Sequence, residues 1–186
     1  MKSNIVMCFV VVFSLSFSPL QSHCRPVLSS IAANKLNDLI ESTCKQSPNY
    51  NVCVSSLRSD PRSSKATDVE GLGLVMVDVL KGKAQKTLDQ INDLLKQRPK
   101  PKLKQPLGYC ALSYGAILNG DIPQATEAFT KGNYKFAEEG CNDAANEADL
   151  CESKFTPPAS SPITRMNTAV HDVAAVTASM ARILLA

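Results

Sequence analysis

The sequence predicts an all-α protein: an antiparallel four-helix bundle with an N-terminal helical hairpin and two disulfides. Three observations carry this. Glycine is scarce, 8 in 186 residues, and alternating apolar and polar runs of strand type are absent. Apolar residues recur in steps of three and four along long stretches, which lines one face of a helix. Prolines cluster in a few short segments, so they mark connections between those stretches.

The longest stretch runs from Leu72 through Val75, Met76, Val79, Leu80, Ala84, Leu88, Ile91, Leu94 and Leu95. Its predicted helix starts near Asp68, with acidic residues in the first turn, and stops before Pro99. The segment Arg98 to Pro106 holds three prolines and four basic residues and reads as a stiff, solvated connection. A helix from about Leu107 to Leu118 follows and carries Cys110. "NGDIP" reads as a turn and then a helix start, with Asp121 as cap and Pro123 tolerated in the first turn. A short helix, Gln124 to Thr130, ends at Gly132, and another begins at Asn133 or Tyr134 and reaches Cys151. After the loop "TPPASSP", Ser161 and Pro162 open a last helix striped by Met166, Val170, Val173, Val176, Met180 and Ile183.

In front lies a separate piece, about residues 30–65, ahead of the bundle at 66–186. "IAANKLNDLIEST" places Ile31, Leu36, Leu39 and Ile40 on one helix side, and a second helix around Val52 to Leu57 ends before Asp60-Pro61. Two short helices cannot bury their own apolar faces. The hairpin must pack on the bundle or on another molecule.

The chain opens with Lys2, an apolar run from Ile5 to Phe17, and then small and polar residues, the order of a secretory signal peptide. Residues 1–24 are assigned to that leader and 25–186 to a single domain, with cleavage after Cys24 or after Ser22. No later stretch is apolar enough to span a bilayer. The protein is therefore expected to be secreted and independent of membranes.

Leader removal after Cys24 leaves Cys44, Cys53, Cys110, Cys141 and Cys151. In an oxidising compartment these predict two disulfides and one spare thiol. Cys44 and Cys53 bracket a turn-rich segment and form the natural local pair. Cys110 is left to join Cys141 or Cys151. With Cys151 the two bridges are worth roughly 3 and 4 kcal/mol by chain entropy. No CxxC occurs, and a chain cut after Cys24 keeps one histidine, His171, so a metal site is not expected.

Charge is mild: without Lys2, 19 basic residues face 17 acidic ones, which does not suit a nucleic-acid binder. No phosphate-cradling glycine loop is present. A Ser-His-Asp triad would need His171, which sits on a helix rich in Ala and Val. Glu138 and Glu139 are adjacent and do not converge on one point. No enzyme activity and no cofactor are implied. The basic run Arg98, Lys100, Lys102 and Lys104 fits an acidic polymer, or a loop kept soluble by lysines.

One triplet remains, Tyr134-Lys135-Phe136. Either ring can staple a helix start to the core, or the three form an exposed tip whose lysine enters an acidic cleft. Composition leaves both open.

Several stretches resemble plant invertase and pectin methylesterase inhibitors. They are "STCKQSPNYNVCVSSLRSDPRS", "GLGLVMVDVL", "KGNYKFAEEGCNDA" and "SSPITRMNTAVHDVAAVTASMARILL", and they span essentially the mature chain. The resemblance implies disulfides Cys44–Cys53 and Cys110–Cys151. "KGNYKFAEEG" and "SPITRMNTAVHD" are most similar to the invertase-inhibiting branch, in which a Pro-Lys-Phe tripeptide reaches into the enzyme's sucrose-binding cleft. Lys135 and Phe136 match that tripeptide, and Tyr134 replaces its proline. The implied partner is plant acid invertase of the cell wall or vacuole, with Tyr134, Lys135 and Phe136 at the contact; pectin methylesterase is the alternative. Invertases are retaining glycosidases with two carboxyl groups about 5 Å apart. A lysine ammonium suits such a site. Glu138, Glu139 and Asp143 would repel an acidic cleft when ionised, so their partial protonation at about pH 4–5 is expected to tighten binding.

Overall fold

A computed structural model describes residues 26–157 and 160–186. The predicted leader, with Cys8 and Cys24, and the side chain of Ile31 lie outside the described residues.

Helices α1 (Pro26–Cys44) and α2 (Tyr50–Ser59) form the hairpin. Asn49 starts α2 by accepting a hydrogen bond from the Val52 amide, 3.1 Å away. Cys44 and Cys53 are bonded across the turn, as spacing suggested. Ile40, Val54 and Leu57 are buried, and α2 lies against two bundle helices. The hairpin therefore packs on its own bundle, and Asn49 adds a 3.3 Å bond to Asp172.

Helix α3 (Val69–Lys96) is capped by Asp68, whose carboxylate accepts the Gly71 amide at 2.8 Å. Its buried stripe of Leu72, Val75, Met76, Leu80, Ala84 and Ile91 follows the predicted face. The helix ends with Arg98 in the left-handed region, φ 53°, its amide bonded to the Leu95 carbonyl.

The basic, proline-rich connection is shorter than expected. Helix α4 (Pro101–Ala116) already begins at Pro101, because a proline in the first turn forfeits no helical hydrogen bond and its φ is preset. Pro106 is accommodated inside the helix. The expected turn at "NGDIP" is also corrected. Residues 117–121 form one π-type turn that runs directly into α5 (Ile122–Thr130), with the Ile122 amide bonded to the Ile117 carbonyl. Widening the ladder there keeps Pro123 from colliding with a carbonyl one turn back.

Gly132 (φ 70°) closes α5. Its amide reaches the Phe129 carbonyl at 3.1 Å and the Asn133 amide reaches the Ala128 carbonyl at 2.8 Å, the paired bonds of a Schellman ending. Helix α6 (Tyr134–Ser153) starts at once, and α7 (Thr164–Ile183) ends the bundle. The last helix begins two residues later than Ser161-Pro162 implied; the Ser161 hydroxyl instead accepts the Ile163 amide at 3.2 Å.

Helix α6 packs against α4, α5 and α7. Its buried positions are almost all small: Ala137, Gly140, Cys141, Ala144, Ala145 and Ala148. Small side chains let the neighbouring backbones approach closely. A Cβ on Gly140 would lie 2.8 Å from the Asp121 carbonyl oxygen. The second disulfide, Cys110–Cys151, ties α4 to α6, and Cys141 is the free, buried thiol. Burial, and then the nearby Asp121 carboxylate, push that thiol's pKa up to about 12, so it stays a neutral core side chain. Among the described residues, no helix is long and apolar enough to cross a membrane.

Candidate functional site

The site is the junction of α5 and α6. The Schellman ending at Gly132 fixes the angle at which the chain leaves α5, and Tyr134 then anchors the new helix. Its hydroxyl donates to the Glu70 carboxylate at the start of α3, 2.5 Å away. Its ring sits 6.4 Å from the buried ring of Phe129, tilted by 56°. Phe129 in turn rests on Gly73, where any Cβ would lie 2.6 Å from the ring. The triplet thus divides. Tyr134 is half-buried and staples the helix start, while Lys135 and Phe136 point to solvent.

Phe136 is 58% exposed, an unusual state for a large apolar ring. It forms one wall of a shallow groove lined also by Pro123, Gln124, Glu127 and Lys131 of the α5 region. Gln124 donates to the Phe136 carbonyl at 3.4 Å. The Lys135 side chain is 65% exposed, with its ammonium 3.4 Å from Glu138.

Glu138 is not the free repulsive charge expected from sequence. Its other oxygen accepts from Arg182 of α7 at 2.9 and 3.0 Å. The Arg182 guanidinium, together with Lys135, holds the Glu138 carboxyl below the usual carboxylate range. It therefore remains ionised in mild acid, and its charge is matched by two cations. Asn133 makes no side-chain cap bond, so the positive end of α6 opens beside Lys135.

Sequence reasoning missed Arg182 and the α5 wall. Arg182 lies 44 residues from Glu138, so no local spacing links them. Nothing in the spacing of Gln124, Glu127 and Lys131, on and just after the short predicted helix, marks them as neighbours of Phe136.

Below the tip, Asp121 is enclosed by the start of α5 and by α6. One carboxylate oxygen is buried without a hydrogen-bond partner. Burial, and then the charges of Asp143 and Glu147, raise its pKa to about 6. His171 lies elsewhere, on α7, partly exposed between Asp149 at 3.6 Å and Asp172 at 3.4 Å.

The family model for plant invertase/pectin methylesterase inhibitors matches residues 38–180, which takes in the hairpin cysteines, the α5–α6 junction and nearly all of α7. The chain belongs to this inhibitor family. Cell wall / vacuolar inhibitor of fructosidase 1 of Arabidopsis thaliana is 47% identical over 139 residues, 75% of this chain and 65% of that protein. The pectinesterase inhibitor of Actinidia deliciosa is 32% identical over 126 residues, 68% of this chain and 67% of its own length. The chain thus spans about two-thirds of each of these relatives. A crystal structure of a mutant pectin methylesterase inhibitor from Arabidopsis superimposes with a TM-score of 0.69 at 15% identity, covering 77% of this chain and 95% of that one. At that identity the likeness speaks for the fold.

Proposed function

We propose that this inhibitor-family protein blocks a plant acid invertase, a β-fructofuranosidase, by occupying its sucrose-binding cleft with Lys135 and Phe136. The observation that carries the reading is the division of the triplet. A cation and an aromatic ring face solvent side by side on a helix start that Tyr134 holds to the core. The 47% identity to a relative named as an inhibitor of fructosidase supports the choice of target.

Lys135 presents a compact positive charge to the paired carboxyl groups of a retaining glycosidase. The amide end of α6 adds to the same field. Phe136 covers the rim and excludes water, which strengthens the ion contact beneath it. Tyr134 takes the place of a stiff proline by anchoring the backbone through Glu70 rather than by restricting φ. The protein performs no chemistry; it competes with sucrose. The predicted leader and the names of relatives support action outside the cell, in the wall space, or in the vacuole.

Purified mature protein is titrated against cell-wall invertase, vacuolar invertase and pectin methylesterase at acidic pH. Invertase inhibition that falls at least about a hundredfold in Lys135→Ala, a loss of about 2.7 kcal/mol of the kind a buried charge contact carries, supports the reading. Unchanged invertase inhibition by that variant overturns it. The 32% identity to a pectinesterase inhibitor favours a second reading, in which the flat faces of the bundle engage pectin methylesterase. That reading predicts methylesterase inhibition indifferent to Lys135.

A further inference from the structure

The opposite end of the bundle carries a surface that the tip does not use. Lys135 and Lys154 bracket helix α6, and at 1.5 Å per residue they stand roughly 28 Å apart along its axis. Beside Lys154 a groove of about 500 Å³ runs between the first turns of α4 and the end of α6. It is lined by Lys102, Gln105, Pro106, Tyr109, Lys154 and Thr156. Among the described residues, no acidic side chain lines it. Neither Lys102 nor Lys154 takes part in an ion pair among the described residues.

Lys154 is nevertheless held in place. Its ammonium sits 4.3 Å from the centroid of the Tyr109 ring, a cation–π contact that orients the charge without cancelling it. Lys100 and Lys104 are exposed on the same turn, and the α4 start at Pro101 has no side-chain cap. The positive end of the α4 dipole therefore adds to the lysines. The correction to the basic segment creates this surface: helical spacing brings Lys102, Gln105, Pro106 and Tyr109 to one side.

We infer that this groove binds an unesterified polyuronate, an acidic polysaccharide with one carboxylate on each sugar ring. The ammonium groups of Lys102 and Lys154 take carboxylates. Gln105 and Thr156 take hydroxyls, and Pro106 with the Tyr109 ring offers an apolar surface to the C–H face of a pyranose. Lys100 and Lys104, two residues either side of Lys102, lie outside the groove and strengthen the positive field around it. A nucleic acid fits poorly, because a base needs an open aromatic face and Lys154 covers one face of Tyr109. The inference stands apart from the inhibitory reading, since it involves no residue of the tip.

The test measures binding of the mature protein at pH 6 to polygalacturonate, to the same polymer fully methyl-esterified, and to dextran sulfate. Polygalacturonate is expected to bind at low salt, to weaken as salt rises, and to lose at least tenfold on esterification. Lys102→Gln with Lys154→Gln is expected to weaken it at least tenfold. Lys81→Gln with Lys86→Gln, which removes equal charge from an exposed part of α3, changes it less than twofold. Tyr109→Leu is expected to weaken polygalacturonate severalfold and dextran sulfate less. Equal loss in both lysine pairs means diffuse net charge and overturns the proposal. So does tight binding of the esterified polymer, or an equal Tyr109→Leu effect on both anions. Melting curves establish that each variant is folded, and invertase inhibition measured on the same preparations separates failure here from failure of the inhibitory reading.

Discussion

The two ends of helix α6 are held by different means. At its C-terminal end the hold is covalent and buried. Cys151 is bonded to Cys110, and beside the bridge the buried Tyr114 hydroxyl donates to Asn167 at 2.7 Å. Asn167 donates in turn to Glu152, which also accepts from the Thr164 hydroxyl. At the N-terminal end no bridge exists. There the hold comes from close backbone approach at Gly140, the Tyr134–Glu70 bond and the Glu138–Arg182 pair. The packed end can leave a cation and a ring in solvent because its anchors sit one residue before them and one turn after.

Four experiments break or sharpen this contrast. The largest effect is expected from Cys110→Ser with Cys151→Ser. Opening a bridge that spans 41 residues costs roughly 4 kcal/mol by chain entropy, read from denaturant unfolding. Inhibition by the fraction still folded is expected to persist. Loss of potency in folded protein would show that the far end, not local packing, sets the tip.

Gly140→Ala comes next. The added methyl meets the Asp121 carbonyl oxygen at 2.8 Å and the Ala125 amide nitrogen at 3.2 Å, and both are backbone atoms that cannot swing aside. A loss of about 1–3 kcal/mol is expected, the usual cost of overpacking, with weaker inhibition because α6 must shift. A stable, fully potent variant would remove close approach as the anchor.

Asp121 gives a pH signature. Its folded pKa, about 6, lies above the value of roughly 3.9 expected unfolded. Its contribution is therefore fully present below the unfolded value and is lost as pH rises through about 6. Melting temperatures compared between wild type and Asp121→Asn are expected to diverge over that window, with the variant's profile flatter. Parallel profiles would mean that Asp121 is solvated when folded. Glu138 acts in the opposite sense: its lowered pKa contributes stability above the unfolded value that is lost only in stronger acid. Tighter target binding near pH 5 would thus have to come from groups other than Glu138.

The smallest effect is expected from Tyr134→Phe, which keeps the ring and removes the bond to Glu70. About 0.5–1.5 kcal/mol is the ordinary net value of one hydrogen bond. A few-fold loss of inhibition by fully folded protein, beside a stability loss of that size, would identify that bond as setting the tip's pose.

The outline of the fold was legible because most of its signals are local. The Asp68 cap, the stripe from Leu72 to Ile91, the ending at Gly132 and the Cys44–Cys53 bridge each involve residues a turn or two apart. The errors fell on prolines. Pro101 and Pro106 read as part of a connection, yet one occupies the first turn of α4 and the other is tolerated inside it; Pro123 does sit in a first turn, but the turn expected before it is a widened π turn. A proline forbids one hydrogen bond, and whether a helix survives that loss depends on the packing around it.

By itself, then, the sequence determined an all-helical, disulfide-tied chain with an aromatic-lysine-aromatic triplet at a helix start. Periodicity, caps and turn residues act within a few positions and need no knowledge of the rest of the chain. Only the tertiary structure decided that Tyr134 turns inward while Lys135 and Phe136 stay in solvent, and that Arg182 neutralises Glu138. It also decided that Lys102 meets Lys154 across a groove. Each of these outcomes depends on which helices become neighbours, and that choice is made by the burial of the whole core.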